Sequence, residues 1–172
     1  EEHPYPRWRY TGKILSKNFF NCFNSEIQPN KIKYNNKFDS PNILIAGCGT
    51  GSHPISSARY KNSNILAVDL SLTSLAYAKR KTEKFEYKNI DYIQADILQL
   101  KKLNKKFDII ESAGTLHHMM DPVKGLKVLL DILEPHGFLK LGLYSETARE
   151  HVIKVREFIK KRNYKNTNKD IK

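Results

Sequence analysis

Five apolar stretches punctuate an otherwise polar chain: Ile43–Ala46, Ile65–Val68, Ile90–Gln94, Phe107–Glu111 and Phe138–Tyr144. None alternates cleanly between apolar and polar positions, which suits strands buried on both faces of a parallel sheet. The segments between them carry helical signals. One helix is expected from about Ser52 to Tyr60, with Pro54 tolerated in its first turn because the early N–H groups lack intrahelical partners. A second runs from Ser71, a suitable N-cap, through Leu72, Leu75, Ala76 and Lys79 to about Phe85. Asp121 followed by Pro122 predicts the start of a third, with Val123, Leu126, Leu129, Leu130 and Leu133 as its apolar stripe. Glu134-Pro-His-Gly137 reads as a tight turn into the last strand, and a Lys- and Arg-rich helix follows over Ser145 to about Arg162. Ahead of the first strand, residues 1–10 are too rich in Pro for regular structure. Ile14–Phe23 has apolar residues at 15, 19, 20 and 23 and predicts a short amphipathic helix. Residues 28–42, with Pro29 and Pro41, predict a loop.

The first strand candidate ends in a turn with glycine at alternate positions, Gly47-Cys48-Gly49-Thr50-Gly51, and the second ends in Asp69, 20 residues after Gly49. Glycines let main chain approach a ligand closely, and a carboxylate at the tip of the next strand can accept from both ribose hydroxyls. An adenosine-bearing ligand is expected. Dinucleotide sites use G-x-G-x-x-G, which sets a pyrophosphate on the helix N-terminus. The G-x-G-x-G spacing here favours a ligand without one. Gln94-Ala-Asp96-Ile97 follows the third strand, and Phe107-Asp-Ile-Ile-Glu111-Ser112-Ala113-Gly-Thr-Leu-His117-His118 makes the fourth.

With these four motifs in order, the chain from about Ser40 to Arg149 resembles the class I S-adenosylmethionine-dependent methyltransferases. The resemblance implies an α/β fold: a doubly wound, mostly parallel Rossmann-like sheet with helices on both faces. A complete domain of that class ends in an antiparallel hairpin of two further strands. No such strands follow residue 144, and the sequence opens at Glu1, so a fragment of a longer polypeptide is expected. Residues 1–40 read as an N-terminal extension with a short helix, and 41–172 as the cofactor domain. Tyr5-Pro-Arg-Trp, Ala46-Gly-Cys-Gly-Thr-Gly, Ala67-Val-Asp-Leu-Ser71 and Leu141-Gly-Leu-Tyr-Ser-Glu look most like methyltransferase domains found with tetratricopeptide repeats. That likeness implies a repeat domain elsewhere in the full-length protein.

Composition narrows the partners. The net charge is +12 and the pI near 9.6, which invites a nucleic-acid reading. Yet only seven of the 30 basic residues are Arg, and the lysines are scattered, apart from Lys101, Lys102, Lys105, Lys106 and the tail from Lys154. RNA-binding faces favour Arg with exposed aromatics, so nucleic acid is disfavoured. No apolar run approaches the roughly 20 residues of a membrane span, and a cytoplasmic location is expected. Cys22 and Cys48 have no metal-ligand spacing and read as free thiols. Cys48 reads as a small residue filling the turn, not a nucleophile.

The resemblance implies a cofactor, S-adenosylmethionine, and a role for each matching residue. Main chain at Gly47, Cys48, Gly49, Thr50 and Gly51 lines the methionine portion. Asp69 holds the ribose, Leu70 meets the adenine face, Asp96 accepts from the adenine amino group, and the Ile97 N–H reaches a ring nitrogen. Ser112 and Ala113 border the sulfonium. Plainer roles stand beside these: a strand-end cap for Asp69, a turn cap for Asp96, a core position for Leu70. His117 and His118 are weak candidates for a catalytic base, since the same pair serves members with unrelated substrates; no metal is expected there. Asp121 reads as a helix cap. Tyr5, Arg7 and Trp8 suit a lid, an anchor or a linker remnant, and Tyr144, Ser145, Glu146 and Arg149 stand where an acceptor would approach.

The acceptor is not legible. Asn/Asp-Pro-Pro-Tyr/Phe, a Pro-Cys nucleophile and a paired-glutamate loop are all missing, which disfavours adenine or glutamine nitrogen, cytosine C5 and arginine as acceptors. The expected reaction is methyl transfer to a small or carrier-bound acceptor by in-line displacement. Two alternatives stay open: an RNA methyltransferase, and a non-catalytic cofactor-binding or scaffold module of a larger repeat protein.

Overall fold

A computed structural model describes residues 6–9, 15–145 and 147–165. By its internal contacts the chain divides into two units, 1–142 and 143–172.

The first unit is built on five parallel strands: β1 (Asn42–Ala46), β2 (Asn64–Asp69), β3 (Ile90–Gln94), β4 (Phe107–Ala113) and β5 (Leu133–Gly142). Their order is β3-β2-β1-β4-β5. The strand order reverses at β1, between β2 and β4, the place where open sheets of this kind receive ligands. β1 is buried on both faces, and its residues divide between two cores by the twofold period of a strand. Ile43 and Ile45 face a core shared with Phe19, Phe20, Ile55, Tyr60, Leu75 and Ile109. Leu44 and Ala46 face the other, with Val68, Ile97, Leu100, Ile110, Val128 and Leu129. The first face is covered by α1 (Phe19–Glu26), α2 (Ser52–Ser57) and α3 (Leu72–Lys84). The second is covered by a 3-10 segment over Ile97–Leu103 and by α4 (Pro122–Asp131). The doubly wound reading holds.

Two helix starts follow their sequence signals: the Ser71 hydroxyl accepts from the Ser74 N–H, and Asp121 from the Lys124 N–H at 2.9 Å with Pro122 at the first helical position. Other boundaries move. The first helix starts at Phe19, four residues beyond Leu15, and its cap is Asn18, whose side chain accepts from the Phe20 N–H. Residue 14 lies outside the described residues. The loop before β1 contains a 3-10 turn, Asn36–Phe38, that buries Phe38 against Phe19 and Phe138. α2 stops at Ser57, short of Tyr60. The segment Glu134–Gly137 is no separate turn but an irregularity inside β5. Phe107 pairs with Leu133 and Ile109 with Phe138, so two steps on β4 face five on β5, and His136 takes up the slack at φ +68°. The strand ends at Gly142 instead of Tyr144.

The N-terminal segment is an anchor. The Trp8 indole N–H donates to the Thr50 carbonyl at 2.9 Å, and the Thr50 hydroxyl donates to the Pro6 carbonyl at 2.7 Å. Tyr77 on α3 donates to the Trp8 carbonyl at 2.6 Å, and the indole stacks on Phe85 with centroids 5.9 Å apart. Trp8→Ala is therefore expected to cost about 1–3 kcal/mol, below the full price of a core aromatic because the ring is half-buried; a thermal melt checks this. Tyr5 lies outside the described residues.

The second unit holds a 3-10 turn (Thr147–Arg149) and α5 (Glu150–Lys161). Within it the Arg149 guanidinium lies 3.9 Å over the Tyr144 ring, and Ser145 accepts from the Ala148 N–H. Glu146 lies outside the described residues. Among the described residues no helix is long and apolar enough to cross a membrane.

Candidate functional site

The turn after β1 is held by the end of β2. The Gly47 and Cys48 N–H groups both donate to the Val68 carbonyl at 2.9 Å. One oxygen of Asp69 accepts from the Gly49 N–H at 2.7 Å, and the other from the Ser71 N–H at 2.9 Å. The acid thus serves as the strand-end cap that its position allowed, and it also fixes the turn. A carboxylate carries about four acceptor positions, so two remain for a ligand.

The three glycines do different things. All have positive φ, +80° at Gly47, +51° at Gly49 and +89° at Gly51. A Cβ on Gly47 would overlap the Thr115 side chain, and one on Gly51 would stand 2.5 Å from Ala78. Those two glycines let neighbouring elements close up. A Cβ on Gly49 would meet nothing within 4 Å. Its open side is where a ligand can lie directly on main chain.

Beside this turn a cavity of about 190 Å³ opens at the carboxyl ends of the strands, lined by Gly47, Asp69, Leu70, Ala95, Asp96, Ile97, Thr115, His118 and Met119. Five of the expected cofactor-binding residues meet there, Gly47, Asp69, Leu70, Asp96 and Ile97, together with His118. Leu70 is 65% exposed, which excludes its core reading. Asp96 caps the 3-10 segment by accepting from the Leu98 N–H at 2.9 Å while bordering the cavity. Thr115 and Met119 were not legible as lining. They arrive through the 3-10 turn Leu116–His118 that folds the end of β4 back over the rim, with the Thr115 hydroxyl on the Gly47 carbonyl at 3.3 Å.

Other expected residues turn inward. The Thr50 side chain is buried and bonded to Pro6. Ser112 is fully buried, its hydroxyl donating to the Ala46 carbonyl at 3.0 Å as a cross-tie between β4 and β1. Cys48 is buried in the core, and burial together with the Asp69 charge pushes its thiol up to about 12. It stays protonated and is no nucleophile. Only the main chain of these three can face a ligand. His117 and His118 lie with their Nε2 atoms 3.1 Å apart, His118 at the cavity. Among the described residues no group of three or more metal-ligating side chains comes together.

A charged network stands behind the rim. Glu111 on β4 is 2% exposed. Its Oε2 is 2.7 Å from His53 Nε2 and accepts from the Ser57 hydroxyl at 2.6 Å, and its Oε1 accepts from Tyr60 at 3.3 Å. Burial pushes the carboxyl up, but the bonds from His53 and Ser57 and the charges of His53 and Lys140 win and hold it below the usual 4.5. A depressed carboxyl contributes stability above the unfolded value, and that contribution is lost as pH falls through the lower folded value. Glu111→Gln is expected to lower stability at neutral pH and to flatten its decline below about pH 4.5, as thermal melts across a pH series would show. Nothing in the strand Phe107-Asp-Ile-Ile-Glu111 announces this network, because its partners lie on other elements.

A larger cleft of about 390 Å³ lies at the opposite, amino ends of the strands, lined by Asn42, Asn64, Lys88, Asn89 and Lys105 among others. It has none of the glycine main chain and sits at the end of the sheet that ligands of such folds do not use.

Comparison with known proteins places the chain among methyltransferase domains. Residues 43–137 match the family described as a methyltransferase domain. An uncharacterized protein of Synechococcus sp. is 35% identical over 121 residues, which is 69% of this chain and 29% of that protein. A ubiquinone biosynthesis O-methyltransferase of Coxiella burnetii is 29% identical over 158 residues, 84% of this chain and 63% of that enzyme. PKMT2 from Rickettsia typhi, solved in complex with AdoHcy, superposes with a TM-score of 0.61 at 27% identity over 70% of this chain and 24% of its own. The chain therefore spans less than two thirds of the length of these relatives.

Proposed function

Because the chain belongs to the methyltransferase-domain family, we propose that it binds S-adenosylmethionine at the carboxyl rim of β1 and β2 and moves the methyl group to a small or carrier-bound acceptor. One observation carries the reading: the open side of Gly49 adjoins a carboxylate, Asp69, already fixed to that turn beside a largely apolar cavity. The cavity is smaller than pockets that enclose whole drug-sized ligands, about 300–1,000 Å³. It suits the nucleoside, leaving the amino-acid portion over the glycine turn.

On this reading Asp69 accepts from the ribose hydroxyls with its two remaining acceptor positions, and Asp96 accepts from the adenine amino group. The Ile97 N–H reaches an adenine nitrogen, and Leu70 covers one face of the base. Main chain at Gly47, Cys48, Gly49, Thr50 and Gly51 follows the methionine portion, and that of Ser112 and Ala113 borders the sulfonium. The bound cofactor supplies a methyl carbon made electrophilic by positive sulphur. The protein's share is orientation of the acceptor, a source of up to roughly 7–11 kcal/mol in well-aligned reactions. His118 lines the cofactor cavity, and neither it nor His117 is needed as a base unless the acceptor must lose a proton early. The Coxiella relative is an O-methyltransferase, which favours an oxygen acceptor. Residues 1–40 are proposed as an extension and 41–172 as the cofactor domain. The tetratricopeptide-repeat companion rests on the resemblance alone.

Calorimetry with S-adenosylhomocysteine, S-adenosylmethionine and NAD tests the reading. Binding of the first two and not the third is expected. Tight binding of NAD with none of S-adenosylhomocysteine would overturn it.

A further inference from the structure

Glu111 is a buried carboxylate two residues short of the rim, and the cofactor reading does not use it. Burying a charge is unfavourable unless partners compensate, and here two of the three direct partners come from a single helix. His53 and Ser57 stand one turn apart on α2 and both reach the same oxygen, while Tyr60 reaches the other. α2 needs such support. It has six residues, too few to hold itself together, and its N-cap is Gly51, which offers no side-chain cap. That same Gly51 is the last residue of the cofactor turn. The turn and the first turn of α2 are therefore one continuous piece of backbone, pinned from below by Glu111.

The pin is braced in turn. The Arg59 guanidinium donates to the Tyr60 hydroxyl at 3.2 Å and pairs with Glu26 at the end of α1. Glu26 also accepts from Lys140 at 2.6 Å, and Lys140 is the register partner of Glu111 on β5. The carboxylate thus meets His53, Ser57 and Tyr60 directly, with Arg59, Glu26 and Lys140 behind them, while its register partner on β1, Ile45, is apolar.

We propose that Glu111 is a positioning residue for cofactor binding: through His53 it fixes the start of α2 and so holds the main chain of Gly49–Gly51 in its ligand-receiving conformation. The proposal rests on the cofactor reading above. It differs from a packing role in what it demands of the folded protein. A packing residue changes how much protein is folded, whereas a positioning residue changes how well the folded protein binds.

The experiment measures S-adenosylhomocysteine affinity by calorimetry on the whole chain, well below each variant's melting temperature. Glu111→Gln and His53→Leu are each expected to weaken binding at least about fivefold with circular dichroism unchanged. His53→Gln keeps an N–H donor for the carboxylate and is expected to recover most of the affinity. The double variant Glu111→Gln, His53→Leu should bind no worse than the weaker single one, because both remove the same link. In nitrogen-edited NMR, the Gly49 and Gly51 amide signals should move in Glu111→Gln before ligand is added, and stay near their places in His53→Gln. Should Glu111→Gln not fold, the two His53 variants still decide. Variants that melt earlier yet bind as the wild type does would overturn the proposal, as would a His53→Gln no better than His53→Leu. If the wild type itself binds no S-adenosylhomocysteine, the cofactor reading falls and this proposal with it; wild-type binding with indifferent variants removes this proposal alone.

Discussion

Gly51→Ala should destabilise the fold by about 2–4 kcal/mol, the sum of left-handed backbone strain in a residue with a Cβ and overpacking against a neighbour. At φ +89° the new methyl would lie 2.5 Å from the Ala78 Cβ and 2.9 Å from its Cα. The second contact is with backbone, so α3 would have to move, taking the Ser71 cap with it. For a chain of this size the melting temperature should fall by roughly 5–15 °C. Gly49→Ala is the informative comparison. Its φ of +51° is the ordinary left-handed region, and its methyl would point into open space, so stability should drop by only about 1–2 kcal/mol. That methyl would, however, occupy the approach to the turn, and S-adenosylhomocysteine affinity should collapse. A melt and a titration on the two variants separate the effects: one loses the fold, the other the ligand. Equal stability losses would mean that Gly49 is not the open position.

Asp69→Ala should weaken S-adenosylhomocysteine binding by about 10–100-fold, because each tenfold corresponds to 1.4 kcal/mol and hydrogen bonds to a charged group contribute about 1.5–3 kcal/mol. Two losses combine. The ribose would lose its acceptor, and the turn would lose the bond from the Gly49 N–H that holds it in place. The same substitution frees the Ser71 N–H at the start of α3, so a stability loss of about 1–2 kcal/mol accompanies it. Asp69→Asn retains one acceptor oxygen and should fall between the wild type and Asp69→Ala. Calorimetry checks the series, and an unchanged affinity would remove Asp69 from the site.

The local signals in the chain were enough for the sheet, though not for every strand end: β5 runs from Leu133 to Gly142 where Phe138–Tyr144 was expected. β3 spans the run read from its apolar residues, and Ser71 and Asp121 cap the helices they precede, because strand burial and capping are short-range properties written in neighbouring residues. The glycine turn and Asp69 were legible for the same reason: a fixed spacing across one strand–helix–strand unit brings them together. What tertiary structure alone decided is the inside of the site. Cys48, Thr50 and Ser112 belong to the right motifs, yet their side chains turn into the core, since whether a rim residue faces ligand or protein depends on what packs behind it: Pro6 for Thr50, Ala46 for Ser112. Thr115 and Met119 entered the cavity through a short fold-back with no periodicity to announce it. Glu111 is the clearest case. Nothing in its neighbours along the chain foretells a buried charge, because its partners come from α2 and the residues just after it, more than 50 residues away in sequence, and only the closing of that segment onto the sheet brings them within hydrogen-bonding reach.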